Sequence, residues 1–180
     1  MAQDENIYPQ GRIERIYLHW SGGDYETVYE SYHYCVAMRD GVPVVIQTND
    51  LRLNMRDISH APGEPYAAHT ARRNSFAAGL AVMGMRDARP NDFGAYPLTD
   101  ALLDELCGVA AALARTYAIP IDAAHVLTHA EAALADGYFG ADDNDTQRWD
   151  IARLRPQPHP LRERDAIDAG EELRRRIRAR

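Results

Sequence analysis

Residues 15–20, RIYLHW, form a short apolar run that carries a histidine near its end and passes directly into Ser21-Gly22-Gly23. A run of this length, stopped by a flexible turn, predicts a buried β-strand. His19 raises the question that decides the rest. A lone histidine at a strand end packs or caps more often than it binds a metal. Its meaning depends on whether other ligand-type residues stand at comparable strand and loop ends.

Outward from this strand, residues 24–32 (DYETVYESY) predict a short helix or loop with inward-facing aromatics. YHYCVAMRDGVPVVIQ, 32–47, holds two β-rich runs around Asp40-Gly41, a favoured hairpin turn. AAGLAVMGM, 77–85, predicts a central strand. From Thr99 the period becomes helical, with Leu102, Leu103, Leu106, Val109, Ala110, Leu113 and Tyr117 on one stripe, and Pro120 stops the helix. AAHVLTH, 123–129, predicts a short strand that again ends on a histidine. Strands alternating with helices make this an α/β chain: a single domain with a mixed central β-sheet flanked by helices. The loops 49–74 and 86–97 are long enough to carry function.

At 180 residues, 46% hydrophobic and 26% charged, the chain is expected to fold as one soluble domain. Its net charge of -7 disfavours nucleic acid as a partner. All basic residues are arginine, so any cation in a site stays charged. Cys35 and Cys107 stand in apolar settings and are expected as buried thiols. MAQDENIYPQ lacks the features of a signal peptide, and no run approaches a membrane span. Synthesis in the cytoplasm without a signal peptide is the resulting expectation.

His129 repeats the placement of His19, and Asp150 follows a loop in QRWD. Two histidines and a carboxylate are a ligand set for an open zinc site. Their wide separation in sequence carries no short-motif signal.

The order HWSGG (19–23), YHY…RDG (32–41), AHTARRN…GL (68–80), THAE (128–131) and RWDI (148–151) resembles the zinc-dependent N-acetylmuramoyl-L-alanine amidases. That family includes phage endolysins, cell-wall recycling amidases and peptidoglycan recognition proteins. The resemblance covers roughly residues 12–155, the expected catalytic domain, and leaves 156–180 as a proline- and arginine-rich linker and helix. It implies a Zn2+ cofactor held by His19, His129 and Asp150 in a groove at one end of the sheet. It also implies catalytic roles for Tyr32 and Arg148 and substrate-binding roles for His69, Thr70 and Asn74. Two positions depart from the family pattern. Arginine rather than lysine stands at 148, which makes its role electrostatic and positional. Ala77-Ala78-Gly79 replaces a Ser-Ile-Gly element, which is expected to repack the strand and alter the groove wall.

Several residues carry a plainer reading beside the functional one. Glu131 is either a general base or the third residue of a helix cap begun by Thr128. His33, next to Tyr32, is expected on the opposite face of a strand, packed or hydrogen-bonded. Trp149 is expected to anchor Asp150 from behind, while Trp20 is either core or sugar-stacking surface. The acidic segment 140–147 lacks the order of a calcium loop and reads as solvated. The terminal arginines read as a solvated helix end or a self-association element, with Glu171 and Glu172 four residues before arginines.

The implied activity is hydrolysis of the amide between N-acetylmuramic acid and L-alanine of the peptidoglycan stem. A phage or prophage lysis enzyme, reaching the cell wall through a pore or other delivery route, fits this pattern. A cytoplasmic recycling amidase acting on muropeptides fits as well, as does a delivered toxin. The alternatives outside catalysis are a recognition module that grips muropeptides without cleaving them and a regulatory scaffold.

Overall fold

The computed structural model describes residues 8–60, 62–142 and 146–180. Its centre is a five-stranded mixed sheet in the order β3-β2-β4-β1-β5. The strands are β1 (Arg15–Trp20), β2 (Tyr34–Arg39), β3 (Val42–Gln47), β4 (Ala77–Val82) and β5 (Val126–Thr128). β1 runs parallel to β4 and β5, β2 runs parallel to β4, and β2 pairs antiparallel with β3. The β2–β3 turn places Asp40 and Gly41 at φ 50° and 77°. A two-residue hairpin turn demands positive φ at both positions, and Asp-Gly supplies it with least strain. Every residue of β4 is buried, as expected for a parallel strand covered on both faces.

Three helices flank the sheet: α1 (Asp100–Thr116), α2 (His129–Asp136) and α3 (Glu163–Arg178). Thr99 caps α1, its hydroxyl accepting from the Leu102 amide at 3.2 Å. The α1 stripe packs against Ile16, Leu18 and Trp20 of β1 and Leu80 and Val82 of β4 in the main core. The alternating residues of β1, Tyr17 and His19, belong to the other face. There Ala132 of α2 closes on Tyr17, Ala77 and Leu127.

Three sequence expectations change here. The 123–129 strand ends at Thr128, and His129 opens α2, because Thr128 and Glu131 form a reciprocal cap. The segment 24–32 takes the loop alternative, as bends and turns, with Tyr25 donating to the Pro97 carbonyl at 2.7 Å. Within 49–74, two short 3-10 turns at Leu51–Asn54 and Ile58–His60 interrupt the loop. The terminal helix is longer than expected and is not solvated all round. Leu173 and Ile177 enter the main core, and Arg174 is buried. Residues 1–7 of the MAQDENIYPQ stretch, 61 of the 49–74 loop and 143–145 of the acidic segment lie outside the described residues.

Candidate metal centre

β1 and β5 are parallel, so His19 near the end of one and His129 just past the other meet at the same end of the sheet. Ligand sites of open α/β sheets form at these carboxyl ends. Asp150 arrives from the long loop before the C-terminal segment, and its backbone carbonyl accepts from the Ala130 amide at 3.0 Å. The next residue, Ile151, is buried at φ 57°, a strained conformation for a β-branched side chain. Trp149 braces the loop from the other side, its ring 4.4 Å from that of Trp20 in an edge-to-face pair. Trp20 is 7% exposed, so it belongs mainly to the core, with an edge on the groove.

The three candidate ligands are all buried and present one atom each to a common point. His19 Nδ1 lies 3.1 Å from His129 Nδ1, His129 Nδ1 lies 3.1 Å from Asp150 Oδ2, and His19 Nδ1 lies 3.5 Å from Asp150 Oδ2. A proton satisfies one edge of such a triangle, whereas a cation at its centre satisfies all three corners. Ligands at the 2.0–2.1 Å typical of zinc stand roughly 3.3–3.4 Å apart in a tetrahedron. The donor set and spacing therefore fit zinc. Burial pushes His19 down to about 4, so its ring is neutral and available as a ligand at neutral pH. Burial raises Asp150, but the neighbouring His129 and His19 outweigh it and hold the carboxyl well below the usual range.

A groove of about 800 Å³ opens beside this triangle. Tyr32, Arg148, His69, Trp20, Arg89 and Asp142 are among the residues that line it. Tyr32 lies in the turn before β2, not within a strand, and its ring is 5.2 Å from His19. Its hydroxyl donates to the Trp20 carbonyl at 3.2 Å, and burial raises its pKa strongly, so the phenol stays protonated. Arg148 is tied by its backbone to Tyr138 and donates from Nη1 to the Gln147 carbonyl.

The other expected site residues sit deeper. Thr70 is buried and touches His19, at 3.3 Å from Thr70 Oγ1 to His19 Nε2. Asn74 turns inward, its Oδ1 accepting from the amides of His69 and Thr70 at 3.1 and 2.9 Å. It braces the loop rather than facing the groove. His33 does not take the face opposite Tyr32. The period-two rule fails outside the strand, and its ring lies 5.7 Å from His69. Its Nδ1 accepts from the Gly79 amide at 3.0 Å.

Glu131 points away from the metal centre. Besides capping α2, its carboxylate forms a two-pronged pair with Arg174, both bonds at 2.9 Å. Sequence reasoning missed Arg174 and Arg153. Arg153 is buried and donates to the Pro90 carbonyl at 2.9 Å, the Pro160 carbonyl at 2.8 Å and Asp165. An arginine in an apolar stretch such as IARL was the available signal.

Fold and site together define an α/β protein with a candidate two-histidine, one-aspartate metal centre at the carboxyl ends of parallel strands. No family model and no curated protein sequence matches the chain. Among solved structures, the crystal structure of AmpDH3 from Pseudomonas aeruginosa aligns with a TM-score of 0.44 at 18% identity. The alignment covers 72% of this chain and 57% of that one, so the chain spans little more than half the length of the structure it matches.

Proposed function

We propose that this chain is a zinc-dependent amidase that cleaves the bond between N-acetylmuramic acid and the L-alanine of the peptidoglycan stem peptide. The observation that carries the reading is the buried triangle of His19, His129 and Asp150, open on one side to the groove. The order of the five sequence motifs supplies the choice of substrate.

In this reading His19, His129 and Asp150 hold the zinc ion. When bound there, zinc polarises a substrate carbonyl and lowers the pKa of a coordinated water towards neutrality. Arg148 presents a permanent cation from the groove wall, suited to the oxyanion that develops on the scissile carbonyl. Tyr32 keeps its proton and is committed to the Trp20 carbonyl, so it shapes the wall beside His19 and donates to substrate only by exchanging that partner. Trp20 and Trp149, packed edge to face, form part of the groove wall beside the ligands. Arg89, opposite in charge to the stem carboxylates, gives the groove a second cation.

The deciding experiment is mass spectrometry of peptidoglycan fragments incubated with zinc-loaded protein, with Asp150→Ala as control. Free stem peptides beginning with L-alanine support the reading. Fragments that bind but stay intact replace it with a recognition module. Activity on whole sacculi supports the lysis role outside the membrane, and activity confined to soluble muropeptides supports recycling.

A further inference from the structure

Behind the metal centre lies a row of buried polar groups that the reaction above does not use. His19 Nε2 faces Thr70 Oγ1 at 3.3 Å, and the same oxygen lies 2.9 Å from His69 Nδ1. Thr70 and His69 are 2% and 6% exposed, and Asn74 fixes both through their backbone amides. Space for the His69 ring comes from β4, where Gly79 stands in register with Tyr17. A Cβ on Gly79 would collide with the ring.

The direction of the hydrogen bonds follows from the chemistry. If His19 Nδ1 is a ligand, the ring proton sits on Nε2 and must be donated to Thr70 Oγ1. The hydroxyl proton then goes to its remaining partner, His69 Nδ1. A hydroxyl is able to accept from one imidazole and donate to the other at the same time, which no apolar residue of that size does. His69 Nε2 is buried with no hydrogen-bond partner among the described residues. Keeping an imidazole where one nitrogen has no partner costs free energy that an apolar side chain would not. Its bond to Thr70 at 2.9 Å offsets part of that cost.

We propose that Thr70, backed by His69, is a positioning residue that fixes the tautomer and ring angle of His19 so that Nδ1 faces the metal. Threonine thus takes the part usually filled by a carboxylate or backbone carbonyl behind a metal-bound histidine. This deepens the metal-site reading and rests on it. It also removes Thr70 from the substrate-binding set expected from the sequence.

The test is the zinc dissociation constant of the purified full chain, measured by competition with a chromophoric chelator at neutral pH. Thr70→Val keeps the shape and removes the hydroxyl, and is expected to weaken zinc binding by about tenfold or more. Thr70→Ser restores the hydroxyl and is expected to bind close to wild type. Should Thr70→Val fail to fold, His69→Leu and His69→Asn make the same comparison, since asparagine offers an acceptor near the position of Nδ1. A wild type that binds zinc, with Thr70→Val binding equally tightly, overturns the positioning role alone. A wild type that takes up no zinc overturns the metal-site reading, and this inference falls with it.

Discussion

The imidazoles of His19 and His129 meet nitrogen to nitrogen, with their Nδ1 atoms 3.1 Å apart and Asp150 Oδ2 closing the triangle. Zinc should therefore raise the unfolding midpoint, by the equivalent of about 2.7 kcal/mol at a hundredfold excess over its dissociation constant. A chelator should reverse the gain, and Asp150→Ala should show none. Thermal unfolding with and without zinc checks this; equal shifts in wild type and variant would sink it.

The metal-free protein should lose stability on mild acidification. Burial lowers His19 and His33 to about 4 and holds His69 well below its usual value. The unfolded chain takes up these protons near pH 6.5, and the folded chain does not. Stability is then fully present above about pH 6.5 and falls between about 6.5 and 4, by up to about 1.4 kcal/mol per pH unit for each histidine. Asp150 stays ionised throughout that window and leaves the sign unchanged. Urea midpoints in the presence of chelator at about pH 7 and pH 5 give the measurement, and identical values would refute it.

Arg174 and Glu131 form a pair whose side chains are 5% and 9% exposed. Arg174→Leu strands a buried carboxylate and should cost about 3–5 kcal/mol in urea unfolding. Glu131→Gln in the same background should recover part of that loss. Glu131→Gln alone should keep amidase turnover, since the carboxylate faces α3 and not the groove. A variant that folds normally yet loses turnover would return Glu131 to the list of candidate bases.

Arg153 joins the groove to the C-terminal segment: it holds the carbonyl of Pro90, a groove-lining residue, and the carboxylate of Asp165 in α3. Asp165→Asn should loosen that wall, raising KM for muropeptides more than it lowers kcat, with zinc affinity unchanged. Deleting 156–180 should prevent folding, because Leu173 and Ile177 leave the core with it. A stable, active 1–155 fragment would show that α3 is dispensable.

The strands β1, β4 and the hairpin, together with α1, were legible because their periodicity and turn residues agree with the tertiary structure. So was the pairing of His19 with His129, each at the end of a strand-like run. The start of α2 was blurred because a threonine that ends a strand also begins a helix, and only the reciprocal bonds with Glu131 separate the two. The roles of His69, Thr70 and Asn74 were not legible. The depth of the His69 ring depends on Gly79, where a Cβ would collide with it, and that shows only when β4 is placed beside β1. The tail was misjudged for a related reason. Charge along a sequence says nothing of which arginine finds a buried partner, and Arg174 finds two: Glu131 and the Val126 carbonyl at 2.9 Å.

That last contact bears on which border of the sheet is left to pair. Val126 lies on β5, one border of the sheet, and α3 covers that border while Arg174 occupies its carbonyl. Among the described residues no strand pairs beyond β3, the other border, and its Val42 and Val45 are exposed. A sheet closed at one side can extend only from the other. Among the described residues, growth of the sheet by strand addition is therefore confined to the β3 side.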